Sequence, residues 1–191
     1  KGISAIMVGS EIIHWINNQN KKNMKLKEEK KDFLFDPPYT TLHVGKIKGG
    51  TATNITAKNC EFSLDIRCLP KEHPEEWKNL YLNFCDKVEK KIKKMNKSSS
   101  IIVNNCHWVP GLKPEKNGKA ESLVRKLTGD NNINSVSYGT EAGQYQENGY
   151  STIICGPGSI EQAHKANEFI SELEIIKCEK FFKNLIKENC I

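Results

Sequence analysis

Residues 60–68, Cys-Glu-Phe-Ser-Leu-Asp-Ile-Arg-Cys, decide the fold of the first half of the chain. Apolar or sulfur-containing side chains occupy every second position, and polar or charged side chains occupy the positions between them. Because side chains alternate between the two faces of a strand, the pattern predicts a strand with one buried and one solvent-exposed face. Such strands are typical of antiparallel sheets that are covered on one side.

The segments around this strand predict a two-layer α+β unit. The sequence indicates a helix over residues 3–20, a strand over 39–48, a helix that starts at His73 and a further strand over 101–108. With one more strand supposed upstream of the first residue, the order becomes βαββαβ, a ferredoxin-like arrangement. The predicted buried stripes are Ile6, Gly9, Ile13 and Ile16 on the first helix, and Trp77, Leu80, Phe84, Val88, Ile92 and Met95 on the second.

The sequence around Val109, Pro110 and Gly111 is a predicted domain boundary, which divides the chain into residues 1–109 and 110–191. Beyond it the pattern predicts a helix near 117–128, a strand at 134–137, a short helix near 141–148, a strand at 151–155 and a last helix capped by Ser171 and Glu174. Two strands and three helices are few for an independent core. This half is therefore expected to be the end of a larger α/β domain.

Composition excludes several classes of protein. The 191 residues carry a net charge of +6, and no apolar run approaches the length of a membrane span. The lysine-rich residues 21–31 include balancing glutamates and lack interleaved aromatic residues, so neither a membrane nor a nucleic acid is an expected partner. The chain opens at Lys1 without methionine and runs straight into a helical stripe, so we expect a longer parent protein.

Cysteine usage points to a reducing compartment. There are seven cysteines, an odd number, and they form no C-x-x-C pair and no zinc-finger spacing. Cys60 and Cys68 lie on one predicted strand, too far apart along it to bridge. Reduced thiols in a cytoplasmic protein are the expected state.

Two candidate site residues lie in the first half. Asn54 belongs to a connection of about ten residues, longer than the two to five that a hairpin needs. This connection is either a flexible turn or a means of presenting the Asn54 amide to a developing oxyanion. Arg67 is one of only two arginines in the chain, the other being Arg125, and it lies on the exposed face of its strand. It either pairs with Asp65 or a cross-strand acid, or clamps a substrate carboxylate through both arms of its guanidinium group.

Two loops in the second half carry the other candidates. Residues 138–143, Tyr-Gly-Thr-Glu-Ala-Gly, form either an ordinary capped turn or an anion site, and the charge of Glu141 opposes an anion. Residues 156–164, Gly-Pro-Gly-Ser-Ile-Glu-Gln-Ala-His, follow a predicted strand and present His164. That histidine is either a solvated side chain or a metal ligand.

Taken together, these segments closely resemble the C-terminal half of the acetylornithine deacetylases. These enzymes belong to the zinc-dependent exopeptidase and deacylase family, with succinyl-diaminopimelate desuccinylase and glutamate carboxypeptidases. The matching stretches are residues 37–42, 49–54, 65–70, 140–142 and, most specifically, 156–164. The resemblance extends over nearly the whole chain.

The resemblance implies a role for each part of the chain. Residues 1–109 would be the lid or dimerisation domain without its first strand, and residues 110–191 the C-terminal part of an α/β catalytic domain. Arg67 falls where relatives bind the substrate α-carboxylate, and Asn54 falls in the lid loop that reaches the partner subunit's active site. His164 falls where the family has its last metal ligand.

The loop of Gly139, Thr140 and Glu141 would line the substrate pocket. From charge complementarity, the carboxylate of Glu141 is expected to receive the side-chain ammonium of ornithine. The expected cofactors are two Zn²⁺ ions, with Co²⁺ as a substitute, which hold the attacking water. The implied activity is removal of the acetyl group from N2-acetyl-L-ornithine, a step of arginine biosynthesis, by a cytoplasmic homodimer that assembles through the lid.

Two other readings remain open. A related deacylase, desuccinylase or carboxypeptidase would act on another N-acyl amino acid, and a non-catalytic module would only dimerise. The other metal ligands and the general base of the family would lie before Lys1, and the remaining histidines form no substitute motif: His14, His43, His73 and His107. Since a zinc site needs three or more protein ligands, the chain alone is expected to be inactive.

Overall fold

The structure, a computed structural model, describes residues 2–104 and 107–190. The described residues divide into two compact units. The first unit lies within Lys1–Gly111 and Ser135–Gly139, and the second unit lies within Leu112–Asn134 and Thr140–Ile191. None of the helices in this described part of the chain has the length and apolarity needed to cross a lipid bilayer.

The first unit combines two long helices with one antiparallel hairpin. In chain order its elements are α1 (Ala5–Met24), a short 3-10 helix (Glu28–Lys30), β1 (Thr41–Gly49), β2 (Cys60–Arg67) and α2 (Pro74–Lys93). The two strands form a small sheet whose inner face packs on the helices. The predicted α+β class is confirmed.

The alternation predicted for β2 is confirmed along its whole length. Its Cys60, Phe62, Leu64 and Ile66 positions are half-buried, and the positions between them are exposed. In the register of the hairpin Thr41 lies opposite Arg67 and His43 lies opposite Asp65, and an irregularity follows at Val44–Lys46. The exposed face of β2 therefore presents Asp65 and Arg67 on the same side of the sheet, two residues apart.

The core of the first unit lies between the helices and the inner face of the hairpin. Its buried members are Ile12, Ile16, Leu42, Cys85 and Val88. The rings of Trp15 and Phe84 stack at its side, with centroids 4.8 Å apart. Both helices therefore bury one face on the same sheet, which makes two layers.

The predicted buried stripes were wrong at particular positions. On α1 the stripe passes through Ile12 rather than Ile13, and Ile6 is 38% exposed. The stripe continues through the buried Gln19 and Asn23. The Asn23 amide donates to the Thr40 carbonyl oxygen at 2.7 Å. A polar residue can extend a buried stripe in this way because its hydrogen bond replaces the one it loses to water.

On α2 two residues of the predicted stripe, Leu80 and Met95, are exposed. Leu80 is 44% exposed and Met95 is 71% exposed, whereas Val88 and Ile92 are buried. Cys85, absent from the predicted stripe, is buried beside Val88. Met95 lies beyond the end of the helix, where the chain no longer faces the sheet.

The strand predicted over residues 101–108 is not present in its described part. Residues 101–104 and 107–108 have no strand conformation, and residues 105 and 106 lie outside the described residues. Ile101 and Val103 still pack against the core, so the segment keeps its alternating burial. A strand needs a hydrogen-bonded neighbour, and the paired strands here are β1 and β2.

The second unit is helical in its described part. It contains α3 (Lys119–Thr128), α4 (Ala142–Glu147), a short 3-10 helix (Ile160–Gln162) and α5 (Glu172–Asn189). One half of the predicted capping box of the last helix is confirmed, because the Ser171 hydroxyl accepts from the Glu174 backbone N–H at 3.3 Å. The Glu174 carboxylate accepts from the Gly158 backbone N–H and from Lys177. The apolar face of α5 is only partly covered, and Ile176, Phe182 and Ile186 are exposed.

The strands predicted at 134–137 and 151–155 do not form. The start of the second segment is instead held by a carboxylate. Glu115 accepts from the Ser151 hydroxyl at 2.6 Å and from the Thr152 backbone N–H at 2.9 Å. These bonds lower the pKa of Glu115 from its ordinary value, and the bond from the Ser151 hydroxyl has the largest effect. The Glu115 carboxylate thus accepts the Thr152 backbone hydrogen bond that a neighbouring strand would otherwise accept.

Candidate functional site

Arg67 ends β2 on the exposed face of the hairpin. Its Nε lies 3.0 Å from Oδ2 of Asp65, and the two side chains are 68% and 57% exposed. The structure thus forms the ion pair that the sequence left open as one role for Arg67. Within the described residues, Asp65 is the hydrogen-bond partner of the Arg67 guanidinium group. The two Nη atoms of Arg67 have no acceptor among these residues.

The backbone behind Arg67 is fixed by buried hydrogen bonds. Thr40, 1% exposed, precedes the residue that lies opposite Arg67, and its hydroxyl oxygen accepts from the Leu69 backbone N–H at 3.0 Å. The same hydroxyl donates to Glu72 Oε2 at 2.5 Å, and Trp77 Nε1 donates to that carboxylate oxygen at 2.7 Å. We call Thr40, Leu69, Glu72 and Trp77 the Thr40 network. It ties the chain just beyond β2 to the start of β1 and α2.

The other arginine serves a structural purpose. Arg125 donates from Nε and Nη2 to Glu121 Oε1, at 3.0 and 2.8 Å. Its Nη1 donates to the carbonyl oxygens of Asp130 and Asn132, at 3.2 and 3.0 Å. All three guanidinium nitrogens therefore hold α3 and the loop after it, which leaves Arg67 as the arginine with nitrogens available to a ligand.

Asn54 lies in the loop between β1 and β2. The loop is anchored at Ala57, which is buried and accepts a hydrogen bond from the Ala5 backbone N–H at 2.9 Å. Asn54 itself is exposed. Because the loop and Arg67 lie at opposite ends of an eight-residue strand, at about 3.3 Å per residue they are roughly 25 Å apart. The structure does not bring these two candidates together within one chain.

Gly139, Thr140 and Glu141 lead into α4. The Thr140 hydroxyl accepts from the Ala142 backbone N–H at 3.1 Å, which is the ordinary capped turn that the sequence left open. Glu141 is exposed at the start of the helix. It borders an open depression of ≈ 400 Å³, whose other lining residues are Gln144, Tyr145, Asn148 and Tyr150. The depression gives Glu141 an accessible carboxylate beside two aromatic rings.

His164 lies in a tightly turned loop after the short 3-10 helix. Its φ of 63° places it in the left-handed region, and its backbone N–H donates to Glu168 Oε2 at 3.2 Å. The start of the same loop is held by Glu174, which accepts from the Gly158 backbone N–H at 3.3 Å. The loop thus holds His164 in one backbone conformation, with an exposed side chain.

The described residues do not make a metal site on their own. No group of three or more histidine, cysteine, aspartate or glutamate side chains is arranged to hold a metal ion in residues 2–104 and 107–190. His164 would supply one ligand, whereas a zinc site takes three or four from the protein. The ligand role of His164 stays a prediction.

Sequence reasoning missed the groups that hold the candidates in place. These groups are the Thr40 network behind Arg67 and Glu168 behind His164. For Glu168 a signal exists, since an acid four residues after a loop histidine can reach back to the backbone. Thr40 carries no such signal, because its partners are 29 and 32 residues away along the chain.

Comparison with known families places the first unit. Residues 1–93 match the model of the peptidase dimerisation domain. The match covers α1, the hairpin and α2, the elements that carry Asn54 and Arg67.

Comparison with curated proteins covers the whole chain. It is 32% identical over 193 aligned positions to the acetylornithine deacetylase of Photorhabdus laumondii, which covers 100% of this chain and 47% of the relative. The acetylornithine deacetylase of Pasteurella multocida is 31% identical, with the same coverage. That of Myxococcus xanthus is 26% identical over 82% of this chain and 40% of its own length. The chain spans about half the length of the curated relatives it matches.

Proposed function

The chain belongs to the family of the acetylornithine deacetylases and carries its peptidase dimerisation domain, and from this premise we propose that it forms part of a metal-dependent amide hydrolase. The proposed reaction removes the acetyl group from N2-acetyl-L-ornithine and gives ornithine and acetate, a step of arginine biosynthesis. The observation that carries the proposal is the exposed guanidinium group of Arg67 at the end of β2, whose Nη atoms have no protein acceptor within the described residues.

Arg67 is proposed to bind the α-carboxylate of the substrate. A guanidinium group presents parallel N–H donors at the spacing of the two carboxylate oxygens, and such pairs fix orientation as well as affinity. The ammonium group at the other end of the substrate needs a negative partner. Glu141, exposed beside Tyr145 and Tyr150, is the proposed partner, with Gly139 and Thr140 forming the turn that carries it.

His164 is proposed as one ligand of the metal centre, with zinc as the expected ion. When bound, the metal supplies a water molecule of lowered pKa as the nucleophile. Since the described residues do not complete the site, its other ligands would come from outside residues 2–104 and 107–190. The chain by itself is accordingly proposed to be inactive.

Asn54 is proposed to donate a hydrogen bond to the oxyanion in the partner subunit's active site. The strand β2, which separates its loop from Arg67, is roughly 25 Å long at about 3.3 Å per residue, and this exceeds the length of a small acyl amino acid. If each active site takes Asn54 from one subunit and Arg67 from the other, one substrate can contact both residues. The matched dimerisation domain supports such a homodimer. A cytoplasmic setting is part of the proposal.

Two other functions are compatible with some of these residue roles. A deacylase, desuccinylase or carboxypeptidase for another N-acyl amino acid would keep Arg67 and His164 in the same roles and change the partner of Glu141. A non-catalytic dimerisation module would need neither. The names of the matched relatives favour the deacetylase.

The test is acetate release by the full-length protein that carries this chain. N2-acetyl-L-ornithine is compared with N-succinyl-diaminopimelate and a C-terminal glutamyl peptide, each with and without a metal chelator. We expect the highest kcat/KM with N2-acetyl-L-ornithine, abolished by the chelator, and a loss of several orders of magnitude in His164→Ala. A preference for another substrate would select the related enzyme, and full activity of His164→Ala would remove the ligand assignment.

A further inference from the structure

Asp65 occupies one particular position on the Arg67 guanidinium group. That group has a side edge, formed by Nε with one Nη, and an end edge, formed by the two Nη atoms. Asp65 Oδ2 lies 3.0 Å from Nε, so the side edge is taken. Within the described residues the end edge has no acceptor, and it is therefore the edge that a ligand carboxylate can meet with two parallel hydrogen bonds.

The main chain under this pair is held by hydrogen bonds. The Leu69 backbone N–H, two residues beyond Arg67, is bonded to the Thr40 hydroxyl at 3.0 Å, and Thr41 lies opposite Arg67 in the sheet. The remaining freedom of Arg67 is that of its side chain, which is 68% exposed. An exposed arginine loses considerable rotamer entropy when it is fixed by a ligand. A contact that fixes it beforehand reduces that loss.

Asp65 also carries a negative charge close to where a substrate carboxylate would bind. Considered only as a charge, it repels an anionic ligand, so its removal should tighten binding. Considered as a contact that orients the guanidinium group, its removal should weaken binding. The two effects have opposite signs, which makes the role of Asp65 measurable.

We propose that Asp65 is a positioning residue that holds the side edge of Arg67 and directs its end edge toward the substrate carboxylate. The proposal rests on the function proposed for Arg67 and extends it to a residue that does not touch the substrate. Because exposed ion pairs are weak, the expected effect is modest, roughly two- to fivefold in KM.

The experiment compares Asp65→Ala and Asp65→Asn with Glu61→Ala in the full-length protein, using N2-acetyl-L-ornithine. Glu61 is exposed on the same face of the same strand, so its removal makes the same change in charge away from Arg67. Asparagine keeps an acceptor oxygen for Nε and removes the charge. We expect KM to rise in Asp65→Ala with kcat unchanged, to recover by at least half in Asp65→Asn, and to stay at the wild-type value in Glu61→Ala.

Other results would overturn the proposal. An unchanged or lowered KM in Asp65→Ala, a change in kcat alone, or an Asp65→Asn variant as impaired as Asp65→Ala would each do so. Arg67→Ala is measured beside them. If Arg67→Ala keeps the wild-type KM, the proposed carboxylate clamp and this inference both fail, whereas an effect of Arg67→Ala without one of Asp65→Ala removes this inference alone.

A second readout does not depend on turnover. The Nε–Hε signal of Arg67 is followed by NMR while N2-acetyl-L-ornithine is titrated into the wild type and the Asp65 variants. We expect faster hydrogen exchange at Nε and a weaker Kd in Asp65→Ala, with partial return of both in Asp65→Asn. An Nε–Hε that exchanges equally fast in the wild type and Asp65→Ala would show that the pair does not orient Arg67.

Discussion

At the scale of single residues, surroundings decide what one side-chain type does. Arg125 directs its guanidinium nitrogens to Glu121 and to two backbone carbonyls, and it stabilises a helix and its following loop. Arg67 gives one nitrogen to Asp65 and leaves its end edge open. The rarity of arginine in the sequence directs attention to both residues, and their contacts separate the structural arginine from the candidate ligand.

Cys68, the neighbour of Arg67, provides a prediction about pH. Burial, with a smaller contribution from the charge of Glu72, raises the pKa of the Cys68 thiol to about 11. Because the thiolate is the reactive form, a thiol with a pKa of about 11 carries about a hundredfold less thiolate at pH 8 than a thiol with a pKa of 9.0. We expect alkylation of Cys68 to be correspondingly slow, and its rate to keep rising about tenfold per pH unit up to pH 10.

The measurement is iodoacetamide labelling followed by peptide mass spectrometry, with the exposed Cys190 in the same chain as the internal comparison. A Cys68 rate that levels off below about pH 9.5 would contradict the raised pKa.

At the scale of elements, the sequence predicts well what local periodicity determines. The alternation in β2, the start of α2 after His73 and the cap of α5 all depend on residues close together in the chain. The strands predicted at 101–108, 134–137 and 151–155 depend on a neighbouring strand, which periodicity does not supply. For the same reason the sequence could suggest Arg67 and His164 as candidates but not the distant groups, such as Thr40, that fix their surroundings.

The packing of α1 on β2 provides a prediction about stability. A Cβ added to Gly9 would lie 2.8 Å from Cys60 Sγ, closer than side chains approach in folded proteins. We expect Gly9→Ala to lower the free energy of unfolding by about 1–3 kcal/mol, although alanine favours a helix, because overpacking outweighs the gain in propensity.

The test is chemical denaturation of Gly9→Ala, Cys60→Ala and the double variant. Since Cys60→Ala removes the sulfur that Gly9→Ala would meet, the double variant should recover part of the loss. Strictly additive effects, or a more stable Gly9→Ala, would contradict the close contact.

At the scale of the whole molecule, the hairpin separates two candidate residues that the proposed reaction needs together. Asn54 and Arg67 lie at its opposite ends, roughly 25 Å apart at about 3.3 Å per residue, so one site can use both only if they come from different subunits. The matched dimerisation domain supports such an arrangement. Two chains related by a two-fold axis would then share two equivalent sites.

Mixing two impaired variants tests this sharing. When Asn54→Ala and Arg67→Ala subunits of the full-length protein are mixed, half of the dimers should be mixed and one of their two sites intact, which predicts recovery of about a quarter of the wild-type activity. A mixture that shows only the sum of the two residual activities would contradict sharing. Each variant mixed with itself is the control.

The central claim is that this chain recognises the carboxylate of an acylated amino acid through Arg67 in an amide hydrolase. The most direct test is the kcat/KM for acetate release from N2-acetyl-L-ornithine by the full-length protein, for the wild type, Arg67→Lys and Arg67→Ala. Since hydrogen bonds to a charged group contribute about 1.5–3 kcal/mol each and Arg67 is proposed to form two, we predict a loss of roughly a hundredfold or more in Arg67→Ala and a smaller loss in Arg67→Lys. An Arg67→Ala variant with wild-type kcat/KM, or a wild-type protein that releases no acetate, would contradict the account.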